Sequence, residues 1–216
     1  MDVGLVETNP TVGVKRPAKP KGSGFPVWTE EDLAAYERRW PLGTKERVWF
    51  AILVYTGVRR GDTVSLGRQH ARNGIACIRT EKTGTEVYIR LLPPLLQAIE
   101  AGPTGDLAYI CGERGGKLTK ESFGNLFSDA CRAAGVSKSA HGIRKAAATR
   151  AAENGATVAE LEAMFGWKGG RMASLYTESA NRKRLALEAA EKLLGENLER
   201  TSMLPPAKKV VASEPK

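Results

Sequence analysis

Cysteine and histidine are scarce in this chain, and long apolar runs are absent. Cys77, Cys111 and Cys131 are scattered, odd in number and without metal-ligand spacing, so they read as reduced thiols of a cytoplasmic protein and not as a disulfide framework. Two histidines, His70 and His141, argue against a zinc site. No stretch is apolar over the length that a bilayer-spanning helix needs, and Met1-Asp2-Val3-Gly4 does not open a signal peptide. Acid is missing from residues 9–25, which carry Pro10, Pro17, Pro20, Lys15, Arg16, Lys19 and Lys21. That composition reads as an extended basic linker, either a solvated tether or a track for phosphates.

The 216 residues suit one large domain, or a domain with small appendages. Hydrophobic residues make up 42%, enough for a packed core. Lys and Arg number 33 against 24 Asp and Glu, a net charge of +9. This balance favours a polyanionic partner, nucleic acid first, because neutralising phosphates releases counterions. A cationic protein without such a partner is the competing reading.

Periodicity and punctuation divide the chain into short elements. Thr29 is a fitting N-cap, with Glu30, Glu31 and Asp32 in the first turn of a helix to about Trp40. A second helix, from Lys45 to its stop at Gly57, is apolar on nearly all sides through Val48–Val54, as a central buried helix would be. A short helix is expected near Gly61–Leu66. The period then changes: Asn73-Gly74 predicts a tight hairpin and Thr83-Gly84 a second turn before Val87–Leu91. Three antiparallel strands result, with Lys82 at the second turn. Pro93-Pro94 opens the next helix. Thr119 caps another, to about Ala134, and further helices are expected near 142–154, 157–165, 170–176 and 181–194. Residues 196–216 read as a disordered tail. The fold class is therefore mainly α with a small three-stranded antiparallel sheet, and no internal repeat is evident.

Several of these places carry residues suited to phosphate chemistry. Arg59 follows Gly57 at the end of the buried helix, a rigid site from which a planar, permanently charged fork can bind phosphate. Asp62, three residues on, is expected to hold that guanidinium; a surface ion pair is the other reading. His141 and Arg144 stand at i, i+3 near a helix N-terminus, where the helix adds positive potential. Each of these alone reads better as a cap, a dipole partner or a solvated charge. Their order is more specific than any one of them.

Thr56-Gly57-Val58-Arg59, Glu81-Lys82-Thr83-Gly84, His141-Gly142-Ile143-Arg144, Gly166-Trp167 and Leu175-Tyr176-Thr177 together resemble the catalytic domain of the tyrosine recombinases, the phage integrase family. The resemblance covers roughly residues 25–194. It implies that Arg59 and Arg144 clamp a scissile phosphate in double-stranded DNA while Tyr176 attacks it. Lys82, on the hairpin between the second and third strands, would protonate the leaving oxygen. A phenol is a poor nucleophile until arginines and a base ease its deprotonation, and Tyr176 is singled out from Tyr36, Tyr55, Tyr88 and Tyr109 by its place after Gly166-Trp167. Trp167 stands where most relatives have histidine and some tryptophan. Its indole N–H can donate to phosphate but cannot shuttle a proton. No cofactor, metal or ATP is implied.

Relatives also carry an N-terminal core-binding domain. Here Asp2–Pro10 reads as the end of that domain's last helix, so the chain is expected to be a catalytic-domain piece: linker 1–25, catalytic domain 26–195, tail 196–216. Leu185, Ala189 and Leu193 form an amphipathic stripe, by default packed on its own domain. The resemblance offers instead docking on a neighbouring protomer in a tetramer on DNA. Two alternatives stand beside recombination of a mobile element: a type IB topoisomerase-like activity, disfavoured by His141, and a non-catalytic DNA-binding module in which residues 157–176 act as a helix-turn-helix.

Overall fold

The computed structural model describes residues 25–193 and Gly13. The expectations for the linker before Phe25 and for the tail over 196–216 lie outside the described residues.

Threonine caps start four of the helices. Thr29 heads α1 (Glu30–Arg39) through a capping box with Asp32, and Thr44 heads α2 (Lys45–Thr56) by accepting the Arg47 N–H. Thr119 caps α5 (Lys120–Ala133), and Thr157 caps α7 (Val158–Phe165) with Glu160 reaching back. Between them lie α3 (Arg60–Thr63), α4 (Pro93–Ala101) and α6 (Ala140–Glu153). A single helix, α8 (Arg171–Lys192), replaces the two expected over 170–176 and 181–194. Thr177 and Ser179 are weak helix formers, but Thr177 is buried, its hydroxyl satisfied by Ser174 O at 3.3 Å, and the helix runs on through them.

The sheet is a three-stranded antiparallel meander, β1 (Ala71–Arg72), β2 (Ile75–Arg79) and β3 (Glu86–Arg90). Asn73 and Gly74 both take positive φ (50° and 75°), the requirement of the tight hairpin that their pairing predicted. Ala76, Ile78, Val87 and Ile89 point inward, while the opposite face of β2 and β3 is solvated.

α2 runs through the middle. Val48, Trp49, Phe50, Ala51, Ile52 and Leu53 are all at most 2% exposed, which accounts for its lack of a polar face. Around it, Tyr36 stacks on Phe50 (centroids 4.7 Å) and Phe127 (5.5 Å), and Trp49 meets Phe123 edge-on. A second, smaller core joins Ala148, Ala152, Leu161, Phe165 and Ala173, binding α6, α7 and the first turns of α8. The remainder of α8 leaves the body: residues 181–193 are exposed or nearly so, among them Leu185, Leu187 and Leu193. The expected packing of the Leu185–Leu193 stripe on its own domain is therefore not observed. Among the described residues no helix is long and apolar enough to cross a membrane.

Candidate active site

Arg59 owes its place to the way α2 ends. Gly57 closes the helix in the left-handed region (φ 61°), its N–H donating to Leu53 O at 3.1 Å. A Cβ there would stand 2.6 Å from the Phe165 ring, so conformation and space both demand glycine. Two residues on, Arg59 is the N-cap of α3, with extended backbone (ψ 152°). Its Nη1 is buried without a hydrogen-bond partner.

Asp62 does not clasp Arg59 as its i, i+3 spacing suggested, and no ion pair joins them among the described residues. The extended Arg59 backbone lies outside the helical frame that would align the two side chains. Asp62 is 5% exposed; its Oδ1 accepts the Glu81 N–H at 2.8 Å, and its Oδ2 is buried and unpartnered. It thus ties α3 to the β2–β3 hairpin.

That hairpin presents Lys82 at an exposed turn. Thr80, at its base, holds the turn closed: Oγ1 meets Thr83 Oγ1 at 2.7 Å and accepts the Thr85 N–H at 3.2 Å. Glu81 pairs with Lys120 Nζ on α5 at 2.7 Å, which lowers the Glu81 carboxyl's pKa. Hairpin, α3 and α5 are cross-linked here.

His141 and Arg144 come from the first turn of α6, together as the spacing predicted. Arg144 is buried, and its guanidinium bridges two helix ends: Nη1 donates to Gly57 O at 2.6 Å and Nη2 to Phe165 O at 2.7 Å. Carbonyls at helix C-termini carry partial negative charge, which suits a cation. The guanidinium also lies 4.9 Å from the Phe165 ring centroid and 5.4 Å from that of Trp167. Burial first, then Arg59, pushes its pKa down to about 10, so it stays charged at neutral pH. His141, exposed on its outer side, is pushed below its ordinary value by partial desolvation first and then by Lys145, Arg144, Arg59 and Lys82. That direction favours the neutral imidazole, the form able to accept a proton.

Gly166 ends α7 in the left-handed region (φ 60°), turning the chain so that Trp167 lies over Phe165 (4.8 Å, 17°). Tyr176, one turn into α8, also stacks on Trp167 (5.5 Å, 9°). Burial raises the Tyr176 pKa while Arg144 opposes the rise.

Arg59, Asp62, Lys82, His141 and Arg144 line one cavity of about 370 Å³. Trp167 and Tyr176 are not among its lining residues; they stack beside Arg144. Sequence reasoning missed four others at the wall. Arg60 and Lys120 add charge. Ser139, the N-cap of α6, has a buried, unpartnered Oγ, a feature that its position two residues before His141 could have suggested. Phe25 packs on His141 with ring centroids 4.8 Å apart and has no local sequence signal. Cations dominate the wall, which suits an anionic ligand.

The fold is shared with solved recombinase and integrase structures. XerA recombinase superposes with a TM-score of 0.64 at 18% identity, over 80% of this chain and 66% of its own. A lambda integrase dimer bound to a COC' core site gives 0.64 at 23%, over 81% and 53%. A lambda integrase tetramer bound to a Holliday junction gives 0.61 at 20%, over 78% and 52%. The chain spans about two-thirds of XerA and about half of lambda integrase. No curated protein sequence matches significantly. The sequence profile of the phage integrase family matches residues 29–183, and the chain belongs to that family.

Proposed function

We propose that this chain is the catalytic domain of a site-specific DNA recombinase or integrase, cleaving and rejoining double-stranded DNA through a 3′-phosphotyrosyl intermediate. One observation carries the reading: Arg59, Lys82, His141 and Arg144, drawn from three separate segments, meet at one cavity, with Tyr176 one stacked ring away from Arg144. In this scheme Arg59 and Arg144 bind the non-bridging oxygens. Arg144 spends two of its five N–H donors on carbonyls, which leaves three for phosphate. The phenol leaves the Trp167 stack and attacks phosphorus; the Tyr176 Oη–P bond forms and the P–O5′ bond breaks. His141 takes the phenolic proton and Lys82 protonates the departing 5′-oxygen. Attack by a 5′-hydroxyl reverses the step, so bond energy is kept without ATP or metal. Trp167 Nε1–H is a further donor to phosphate.

The domain division is part of the proposal: linker 1–25, catalytic domain 26–195, tail 196–216. So are the cytoplasmic setting and a role in moving a mobile element. The exposed leucines over residues 181–193 support docking of this helix on a neighbouring copy, and DNA-bound dimers and tetramers occur among lambda integrase structures. A nicked suicide substrate tests the chemistry: covalent protein–DNA adducts form with the wild-type chain and not with Tyr176→Phe. Equal adducts from the phenylalanine variant, or none from the wild type, would end the reading.

A further inference from the structure

The segment Phe25-Pro26-Val27-Trp28 crosses the start of α6 as a strap, fastened along its length. Lys145 Nζ donates to Phe25 O at 2.8 Å, and Lys138 Nζ to Val27 O at 2.8 Å. Trp28, 3% exposed within the main core, donates from Nε1 to Ser139 O at 2.9 Å. Gly142 lets the strap lie close, because a Cβ there would collide with Pro26 O and press on the Trp28 indole. Three bonds and one obligatory small residue thus fix a stretch of chain with no secondary structure of its own.

The strap delivers one side chain to the cavity. Phe25 is 55% exposed, contributes little to the core, and sets its ring 4.8 Å from that of His141, tilted by 54°. An aromatic ring held in water by anchored backbone on one side and an imidazole on the other is not explained by core packing. We infer that Phe25 is a positioning residue for His141, holding the imidazole against the cavity wall and shielding one face of it from water. Its effect on proton transfer rests on the catalytic reading above; its effect on the imidazole does not.

The charges that face His141 are Lys145 and Arg144 on its own helix, Arg59 at the start of α3, and Lys82 on the hairpin. The strap residues contribute no titratable group. Phe25→Ala therefore changes no charge, and it keeps the carbonyl that tethers Lys145. What it removes is the ring.

The test is histidine titration by NMR on the full 216-residue chain, where His70 serves as the internal reference. With Phe25→Ala the His141 midpoint rises towards its ordinary value while His70 and the thermal midpoint stay put. Phe25→Leu, which restores apolar cover without a ring, falls between the alanine variant and the wild type. On the suicide substrate, Phe25→Ala slows adduct formation about tenfold, as misplacement of a catalytic group does, its acid limb moves up with the His141 midpoint, and Phe25→Tyr restores the rate. An unmoved His141 midpoint in both the alanine and leucine variants overturns the inference. Absence of adducts from the wild-type chain would overturn the catalytic reading and leave the titration result standing.

Discussion

The Asp62 carboxylate accepts the Glu81 amide at 2.8 Å, fastening the helix that begins at Arg59 to the hairpin that carries Lys82. The proposed phosphate clamp and the proposed proton donor are thereby linked through a third residue, Asp62. Asp62→Ala leaves the Glu81 N–H without its partner, a loss of about 1–2 kcal/mol in unfolding free energy. Cleavage of the suicide substrate is expected to slow by roughly one to two orders of magnitude as the hairpin drifts. A 5′-bridging phosphorothiolate, whose leaving group needs no proton, should restore Asp62→Ala and Lys82→Ala alike. Rescue of the lysine variant alone would show that Asp62 acts on something other than the Lys82 hairpin.

Gly57 and Gly84 share nearly the same left-handed backbone, φ 61° and 62°, in different surroundings. Around Gly84 there is open space, whereas a Cβ at Gly57 meets the Phe165 ring at 2.6 Å. Gly84→Ala should lose about 1 kcal/mol, the backbone penalty alone. Gly57→Ala adds an overpacking penalty and should lose about 2–4 kcal/mol. Urea unfolding of the pair separates the two effects, and equal losses would mean that Phe165 yields freely.

His141 leaves a signature in stability against pH. Its folded pKa lies below the ordinary 6.5, by partial desolvation first and then by neighbouring cations. In the window between the folded value and 6.5 the unfolded chain binds more protons, so stability rises with pH through that window and is lost on acidification. His141→Gln should flatten this part of the profile and leave the rest unchanged. Denaturant midpoints on either side of the window, for wild type and variant, are the measurement. A variant with the wild-type slope would place the proton uptake elsewhere.

What could be read from the chain were features whose cause is local. Thr29 and Thr119 as caps, Gly57 as a stop, Asn73-Gly74 as a hairpin and the all-apolar run of α2 each follow from a few adjacent residues. The grouping of Arg59, Lys82, His141 and Arg144 was legible only through ordered motifs, since nothing local brings residue 59 to residue 144. Asp62 was assigned the wrong partner because spacing speaks only for continuous helix, and Arg59 precedes one. Arg144's carbonyl partners lie 87 and 21 residues away, and Phe25 reaches His141 across 116 positions, so neither contact has a sequence period to reveal it. The continuity of α8 was missed because burial of Thr177 outweighs its own weak helix preference.

Trp167 does two things that one substitution can separate. Its ring bridges Phe165 and Tyr176, and its indole N–H is the proposed phosphate donor. Trp167→Phe keeps an aromatic face between the two rings, so the unfolding free energy should stay within about 1 kcal/mol of the wild type. Losing one hydrogen-bond donor to the transition state, about 1.4 kcal/mol, should nonetheless slow adduct formation about tenfold. Trp167→Ala removes the stack as well, at about 2 kcal/mol or more of stability, and frees Tyr176 from its resting contact. A phenylalanine variant that cleaves at the wild-type rate would strip Trp167 of the proposed donor role and leave it as the surface on which Tyr176 rests.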